Sequence, residues 1–558
     1  MKRLSRSLLP LALVLLPAAA LAQARADADL IVTAARIYTV DPTRPMVEAI
    51  ASRGSAIVFA GSRAQVMALK GAATRVVDYP GATIIPGMTD AHGHLSGLGQ
   101  ALRTVDLVGT KSYDEVIARV VERAKTAKPG EWITGRGWDQ NHWADTRFPT
   151  HGALSRATPG NPVYLTRVDG HAALANAKAM QAASVGASTA DPSGGRLIRG
   201  TGAEPTGVFV DNAQHLVDRV IPPPSRDDRR AAVLAAIAEC NRWGLTALHD
   251  AGESRGTIDL FEELAKAGNY NLRNYVMVSD DSAALSYYFA RGIEQSLYDG
   301  RLWIRSVKLY MDGALGSRGA ALLEPYADDP GNSGLLVSTP QHIRDVAVRA
   351  LRAGFQVNTH AIGDRGNRLV LDAYESALKE VPTAEHRFRI EHAQIIHHDD
   401  IPRFAKLGVI PSMQASHQTS DMYWAVNRLG PSRLLGAYAW RSLLETGVVI
   451  PNGSDFPVES VNPLISFHAA VSRRDADNWP AGGWFPEQAM TREEALKAMT
   501  IWPAYAAFAE QQMGSLTPGK VMDFVVLDHD IMKMPAEYIL GTTVVATWLG
   551  GKAVYEKR

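Results

Sequence analysis

Cysteine is all but missing from this chain: its 558 residues include one, Cys240. A single cysteine excludes an internal disulfide and a zinc site built from thiolates. Cys240 falls in the helix-like run 235–240 and reads as a core residue. Net charge is missing too. Lys and Arg total 58, as do Asp and Glu, so no basic surplus asks for a nucleic-acid partner. Phosphate-binding signatures are absent: Gly313, Gly316 and Gly319 do not lead into Gly-Lys-Ser or Gly-Lys-Thr, and there is no dinucleotide glycine fingerprint. No fixed-period repeat is found. The one notable apolar run is at the start, where Lys2, Arg3 and Arg6 precede Leu8 to Leu16 and Ala20-Leu21-Ala22 follows. This reads as an export leader, residues 1–22, cut before Gln23. Its length, with Pro10 and Pro17, argues against a membrane span. The mature protein is expected in a bacterial periplasm or secreted, with no stable span.

What the chain does have is ordinary globular composition, 46% hydrophobic and 21% charged. Short β-prone runs occur near both ends, at 29–40 and 56–60 and again at 524–527, 544–548 and 553–555. They predict a small composite β-sandwich, residues 23–81 with 511–558, enclosing the domain between them. From residue 82 to 510, strands and helices alternate. The expected strands are 83–89, 246–249, 273–278, 304–310, 356–360, 388–392, 409–413 and 448–452. Helices are expected at 343–353, 369–380, 433–445 and 492–509, the last opened by the capping pair Thr491 and Glu494. Eight strands alternating with helices predict an α/β fold, a (β/α)₈ TIM barrel. A Pro- and Gly-rich interruption at about 109–225, between strands 1 and 2, reads as an inserted subdomain over the barrel mouth.

Barrels of this kind carry chemistry at the C-terminal ends of their strands. Strand 1 ends in His92 and His94, two residues apart and so on one face of an extended chain. Both imidazoles can reach one metal ion, and imidazole suits zinc. Strand 4 ends in Lys308 and Asp312, strand 5 in His360, strand 6 in His392 and strand 8 in Asp455. Four histidines, a lysine and an aspartate at five strand ends exceed what packing requires. Lys308 sits among Val307, Leu309 and Tyr310, where burial lowers an amine pKa. A neutral amine can take up carbon dioxide to form a carbamate that bridges two metals. The alternative is a free lysine holding a substrate carboxylate.

This pattern resembles the amidohydrolase superfamily, in the order His-x-His, Lys, His, His, Asp. More narrowly it is similar to the amidohydrolase-3 branch, which includes N-substituted formamide deformylases. The resemblance rests on Pro86-Gly87 before the His pair and on Lys308-x-x-x-Asp312-Gly313-Ala314-Leu315-Gly316-Ser317. It rests also on Ile390-Glu391-His392-Ala393, Gly453-Ser454-Asp455-Phe456-Pro457 and the ending Gly514-Ser515-Leu516 through Pro518-Gly519-Lys520 to Asp523. It implies two divalent ions, one on His92, His94 and Asp455 and one on His360 and His392, with zinc the expected metal and carboxylated Lys308 and a hydroxide as bridges. It implies cleavage of a non-peptide amide or formamide C–N bond in a small molecule, by a metal-activated hydroxide with Asp455 as general acid/base. The block Arg167-Val168-Asp169-Gly170-His171 resembles one in the same branch. It suggests a catalytic donor in His171 and a substrate contact in Arg167; Arg318, between glycines after strand 4, and Trp138, near the mouth, are further substrate candidates.

A deaminase of this superfamily usually carries glutamate three residues after the strand-5 histidine; here that residue is Gly363, and Lys308 is present. A dipeptidase or acyl-amino-acid hydrolase would share the same metal site. A regulatory or binding protein on this scaffold is the reading from another class, and the retention of all six ligand candidates weighs against it. The sequence leaves a homodimer open.

Overall fold

The computed structural model describes residues 27–557; the expected leader lies outside them. Among the described residues no helix is long and apolar enough to cross a membrane. Eight parallel strands form the centre: β1 (Met88–Gly93), β2 (Leu245–Glu253), β3 (Arg273–Val278), β4 (Leu302–Tyr310), β5 (Gln356–Ala361), β6 (Arg389–His392), β7 (Ile410–Gln414) and β8 (Asn452–Gly453). They are hydrogen-bonded in chain order, every pair parallel. The ring closes where the segment after β8 returns to β1: Asp455 N–H donates to His92 O at 2.6 Å, and His94 N–H donates to Phe456 O at 2.9 Å. These backbone bonds set Asp455 beside the His pair.

The strands are buried almost continuously because helices cover the barrel outside. Pro340–Ala353 shows how: Ile343, Val346, Ala347, Ala350 and Leu351 make one buried stripe at helical spacing. Cys240 is buried on the helix Arg226–Arg242. The capping box at Thr491 and Glu494 forms as the sequence indicates, but its helix stops at Ala498 and another runs Ile501–Ala506. Thr500 leaves the helical region, and Pro503 has no N–H to give to residue 499. The helix expected at 433–445 is likewise broken, into a 3₁₀ turn Ser432–Gly436 and a short helix Trp440–Leu444, with Tyr438 at φ 52° between them.

Both ends of the described residues enter one continuous seven-stranded sheet. Its order is Lys552–Glu556, Val544–Leu549, Phe524–Leu527, Lys70–Pro86, Ala28–Tyr38, Met46–Arg53, Ala56–Gly61. Arg273 at the start of β3 locks this sheet to the barrel by a bidentate pair to Asp523, Nε–Oδ2 2.6 Å and Nη2–Oδ1 3.0 Å. The expected first barrel strand, 83–89, divides at this junction. Its front half, through Pro86, belongs to the terminal sheet, and β1 begins at Met88. Gly87 is the turning point: a Cβ there would stand 2.2 Å from Thr246 Oγ1 and 2.8 Å from Thr246 Cγ2. Gly87→Ala is therefore expected to cost about 1–3 kcal/mol by overpacking, read as a lowered urea midpoint; an unchanged midpoint would show that Thr246 can yield.

Between β1 and β2 the inserted segment forms a six-stranded sheet ordered Gly195–Arg199, Pro205–Asp211, Ala172–Ala175, Val163–Arg167, Ile133–Trp138, Val105–Asp106. It has its own apolar core, including Leu107, Val120, Trp138, Leu165 and Val210. Its loops stand over the C-terminal ends of the barrel strands and make one wall of a cavity of about 1460 Å³.

Candidate metal centre and active-site cavity

At the floor of the cavity His92 is fully buried. Its Nδ1–H donates to Glu391 Oε2 at 2.5 Å, which turns the Nε2 lone pair inward. Glu391 is held by Arg389 through Nε–Oε1 at 2.7 Å and Nη2–Oε2 at 3.0 Å. Arg389 is pinned in turn by Ala91 O, Ser412 Oγ and His249 Nδ1. Burial would raise the Glu391 carboxyl pKa, but Arg389 and His92 bring it down to about 2. Burial and the neighbouring Lys308 lower His92 to about 4, so its ring is neutral and free to ligate.

Lys308, 1% exposed on β4, brings Nζ to 3.2 Å from His92 Nε2. Burial lowers its pKa to about 8, against the pull of Glu391 and Asp455. His360 and His392, at the ends of β5 and β6, have ring centroids 4.5 Å apart, and the His392 ring is 4.8 Å from that of His92. His392 Nδ1–H donates to Gln414 Oε1 at 2.8 Å, which again directs Nε2 inward. His360 points Nε2 at Gly313 O, 3.5 Å away, so Nδ1 is its atom for a ligand. Burial first, then neighbouring imidazoles and Lys308, keep both rings well below the usual histidine range.

Asp455 completes the cluster. Its Oδ1 lies 3.0 Å from His94 Nε2 and 3.5 Å from His92 Nε2, and its Oδ2 lies 3.5 Å from His417 Nε2. Burial opposes its ionisation, but His417, His94 and His92 keep the carboxyl well below the usual range. The backbone is strained here: φ is 59° at Asp455 and 74° at His392, in the left-handed region that side chains with a Cβ avoid. Asp90 helps hold this shape, accepting from Ser454 Oγ at 2.6 Å and from the His92 N–H at 3.0 Å.

Two triads have ligand atoms that all lie within 4.8 Å of one another at this site: His92, His94, Asp455 and His392, His417, Asp455. The arrangement has close relatives. Residues 75–555 match the model of the amidohydrolase family, in its amidohydrolase-3 branch. This chain belongs to the amidohydrolase family. The amidohydrolase is 35% identical over 541 residues to Protein LONG AFTER FAR-RED 3 of Arabidopsis thaliana, covering 95% of this chain and 92% of that one. It is 27% identical over 544 residues to the N-substituted formamide deformylase of Arthrobacter pascens, covering 95% and 98%. Its fold matches the crystal structure of an uncharacterized metal-dependent hydrolase from Pyrococcus horikoshii OT3 with TM-score 0.73 and 26% identity, over 91% of this chain and 99% of that one.

The amidohydrolase thus gathers His94, Lys308, His360, His392 and Asp455 round one cavity, with His92 directly behind Lys308. It adds His417, one helical turn beyond β7. His417 Nδ1 lies 3.3 Å from Glu459 Oε1, and its pKa, opposed by burial, rises to about 10 between Asp455 and Glu459. His171 reaches in from the insertion: its ring is 5.0 Å from that of His360, and its Nδ1–H donates to Asp211 Oδ1 at 2.6 Å. Burial lowers the His171 pKa, but Asp211 and nearby carboxylates outweigh it and raise it overall.

The structure places the three expected substrate contacts differently from one another. Arg167 touches the cavity wall, but its guanidinium is spent on Asp139, on Asp169 at 2.5 Å and on Gln140 at 2.9 Å. It ties the insertion's loops together. Trp138 is 0% exposed, tilted against Trp143 and edge-on to Phe148 in the inserted core, with Nε1–H donating to Leu165 O at 2.8 Å. Arg318 turns to Asp328, Nη2–Oδ2 2.9 Å, and is not part of the cavity lining.

Proposed function

We propose that this amidohydrolase, a metal-dependent hydrolase, cleaves a non-peptide amide or formamide C–N bond. One observation carries the reading. Asp455 Oδ1 is buried and accepts no hydrogen bond, yet it faces the Nε2 atoms of His92 and His94. Three electron-pair donors converging on one buried point fit a cation between them. His92, His94 and Asp455 would hold one divalent ion, and His360 and His392 a second, with Lys308 as a bridging carbamate. Zinc suits this nitrogen and oxygen donor set. Ions bound there supply a Lewis acid and lower the pKa of water.

The protein's own groups supply the rest. Glu391 and Gln414 fix the imidazole orientations. Asp455 accepts a proton from the attacking water as its oxygen bonds to the carbonyl carbon. It delivers that proton to the nitrogen as the C–N bond breaks, giving a carboxylic acid and an amine. His171, held by Asp211, donates to the carbonyl oxygen from the opposite wall. The formamide deformylase relative supports the bond class, and the metal-dependent hydrolase match supports the metals. A dipeptidase or acyl-amino-acid hydrolase would use the same groups. We also propose export, with the leader removed before Gln23, which N-terminal sequencing of the mature protein tests.

A single-ion centre on His92, His94 and Asp455 is the second reading, favoured by the direct Lys308 Nζ–His92 Nε2 contact of 3.2 Å. Metal analysis of protein purified without chelator, with a crystal structure of the same preparation, separates the two. About two ions per chain and a carboxylated Lys308 are expected. About one ion with a free amine establishes the second reading. No ion after supply of zinc and bicarbonate would overturn the hydrolase in favour of a binding protein.

A further inference from the structure

The strand Ile133–Trp138 of the insertion carries Arg136 to the cavity wall. Among the described residues Arg136 makes no ion pair. Nη2–H donates to Val168 O at 2.8 Å; the Nε–H is buried with no acceptor, and Nη1 makes no hydrogen bond. Neither of the two carboxylates that act on it forms an ion pair with it. Asp169 takes Arg167 at 2.5 Å and the His171 N–H at 3.0 Å, and Asp455 faces His94 and His417. The guanidinium lies against Gly170: a Cβ on that glycine would be 3.5 Å from Nη1 and 3.6 Å from Nη2. The next residue is His171, whose ring is 5.0 Å from that of His360. An arginine with unused donors thus lines the substrate space one residue from the wall that overlooks the metal centre.

We propose that Arg136 receives a carboxylate carried by the substrate, so that the compound cleaved is an N-acyl or N-formyl amino acid rather than a neutral amide. The proposal rests on the hydrolase reading for the bond that breaks. A planar guanidinium with free N–H groups matches a carboxylate in shape and charge. A monoanion is favoured over a phosphate because Asp139, Asp169, Asp211 and Asp455 also line the cavity and oppose a second negative charge. The fork would anchor the acid end while the scissile carbonyl lies between His171 and the barrel floor.

The test uses N-formylphenylalanine and N-formylphenylalaninamide, which differ only at the carboxyl group. Their kcat/KM values are compared on the metal-loaded full chain. Their binding is also measured by calorimetry on chelator-treated protein, where a carboxylate cannot ligate a metal. Wild-type protein is expected to bind the acid at least about tenfold more tightly than the amide. In Arg136→Met that ratio falls to near one, and Arg136→Lys recovers part of it, with circular dichroism confirming the fold of both. A wild-type ratio near one, whether both probes bind or neither does, overturns the proposal; so does a preference that survives in Arg136→Met. Preference for the acid without cleavage of either compound leaves Arg136 in place and removes this bond from the hydrolase reading. Cleavage of both with no preference does the reverse.

Discussion

Asp455→Asn is expected to lower kcat by about a thousandfold on whichever N-acyl or N-formyl amide the metal-loaded protein turns over fastest. The substitution keeps the shape of the side chain and one oxygen able to face a metal. It removes the basicity needed to take a proton from water and return it to the leaving nitrogen. The fold should survive, because the backbone bond from Asp455 N–H to His92 O at 2.6 Å does not depend on the charge of the carboxylate. His417 keeps Glu459 at 3.3 Å when it loses the Asp455 charge. The decisive readout is kcat beside metal content: a large fall in kcat with KM and metal nearly unchanged assigns proton transfer to Asp455. Turnover near the wild-type value in fully loaded Asp455→Asn protein would falsify that role. A parallel loss of metal would make Asp455 chiefly a ligand.

The barrel was legible because its strands are short apolar runs that end in polar, chemistry-bearing residues. β3 begins and ends where the sequence pattern places it, at Arg273 and Val278. Less legible was where one sheet hands over to another. The run 83–89 is β-prone on either side of Pro86-Gly87, and what makes that pair a division is the side chain of Thr246, brought in from far along the chain. β8 shrinks to Asn452–Gly453 because the chain then turns through left-handed Asp455 to bond with β1. His417 escaped notice because it lies on the helix Ala415–Asp421 rather than at a strand end. The one available signal was its position a single turn after Gln414, the partner of His392.

Trp138 and Arg136 show a subtler limit. A two-residue strand period puts both side chains on one face. The register of this strand shifts between them, and Gly137 sits at φ 112°. Such a bulge turns the following side chain over. Arg136 therefore remains at the cavity while Trp138 is driven into the inserted core. Gly137 is the local hint of a bulge, but which residues it displaces depends on the register with the partner strand.

Glu391 offers the other large effect, because it joins stability to metal binding. Arg389 and Glu391 are both 0% exposed, and their pair is linked onward to His92. Glu391→Ala leaves the Arg389 guanidinium buried without its counter-charge, and a broken buried pair costs about 3–5 kcal/mol. Glu391→Gln keeps the volume and one acceptor for His92 Nδ1–H, so it should lose less stability. It still weakens the hold on the His92 tautomer, and its loss of negative charge lowers the basicity of Nε2. Metal affinity should therefore fall about ten- to a hundredfold in the glutamine variant. Urea unfolding of metal-free protein reads the first effect, and competition with a chromophoric chelator reads the second. Stability should fall in the order wild type, glutamine, alanine. If Glu391→Ala unfolds at the wild-type urea concentration, the Arg389 charge is compensated by Ala91 O and Ser412 without Glu391. If Glu391→Gln binds metal as tightly as wild type, the orientation of His92 is set by packing alone, and Glu391 has no part in tuning the centre.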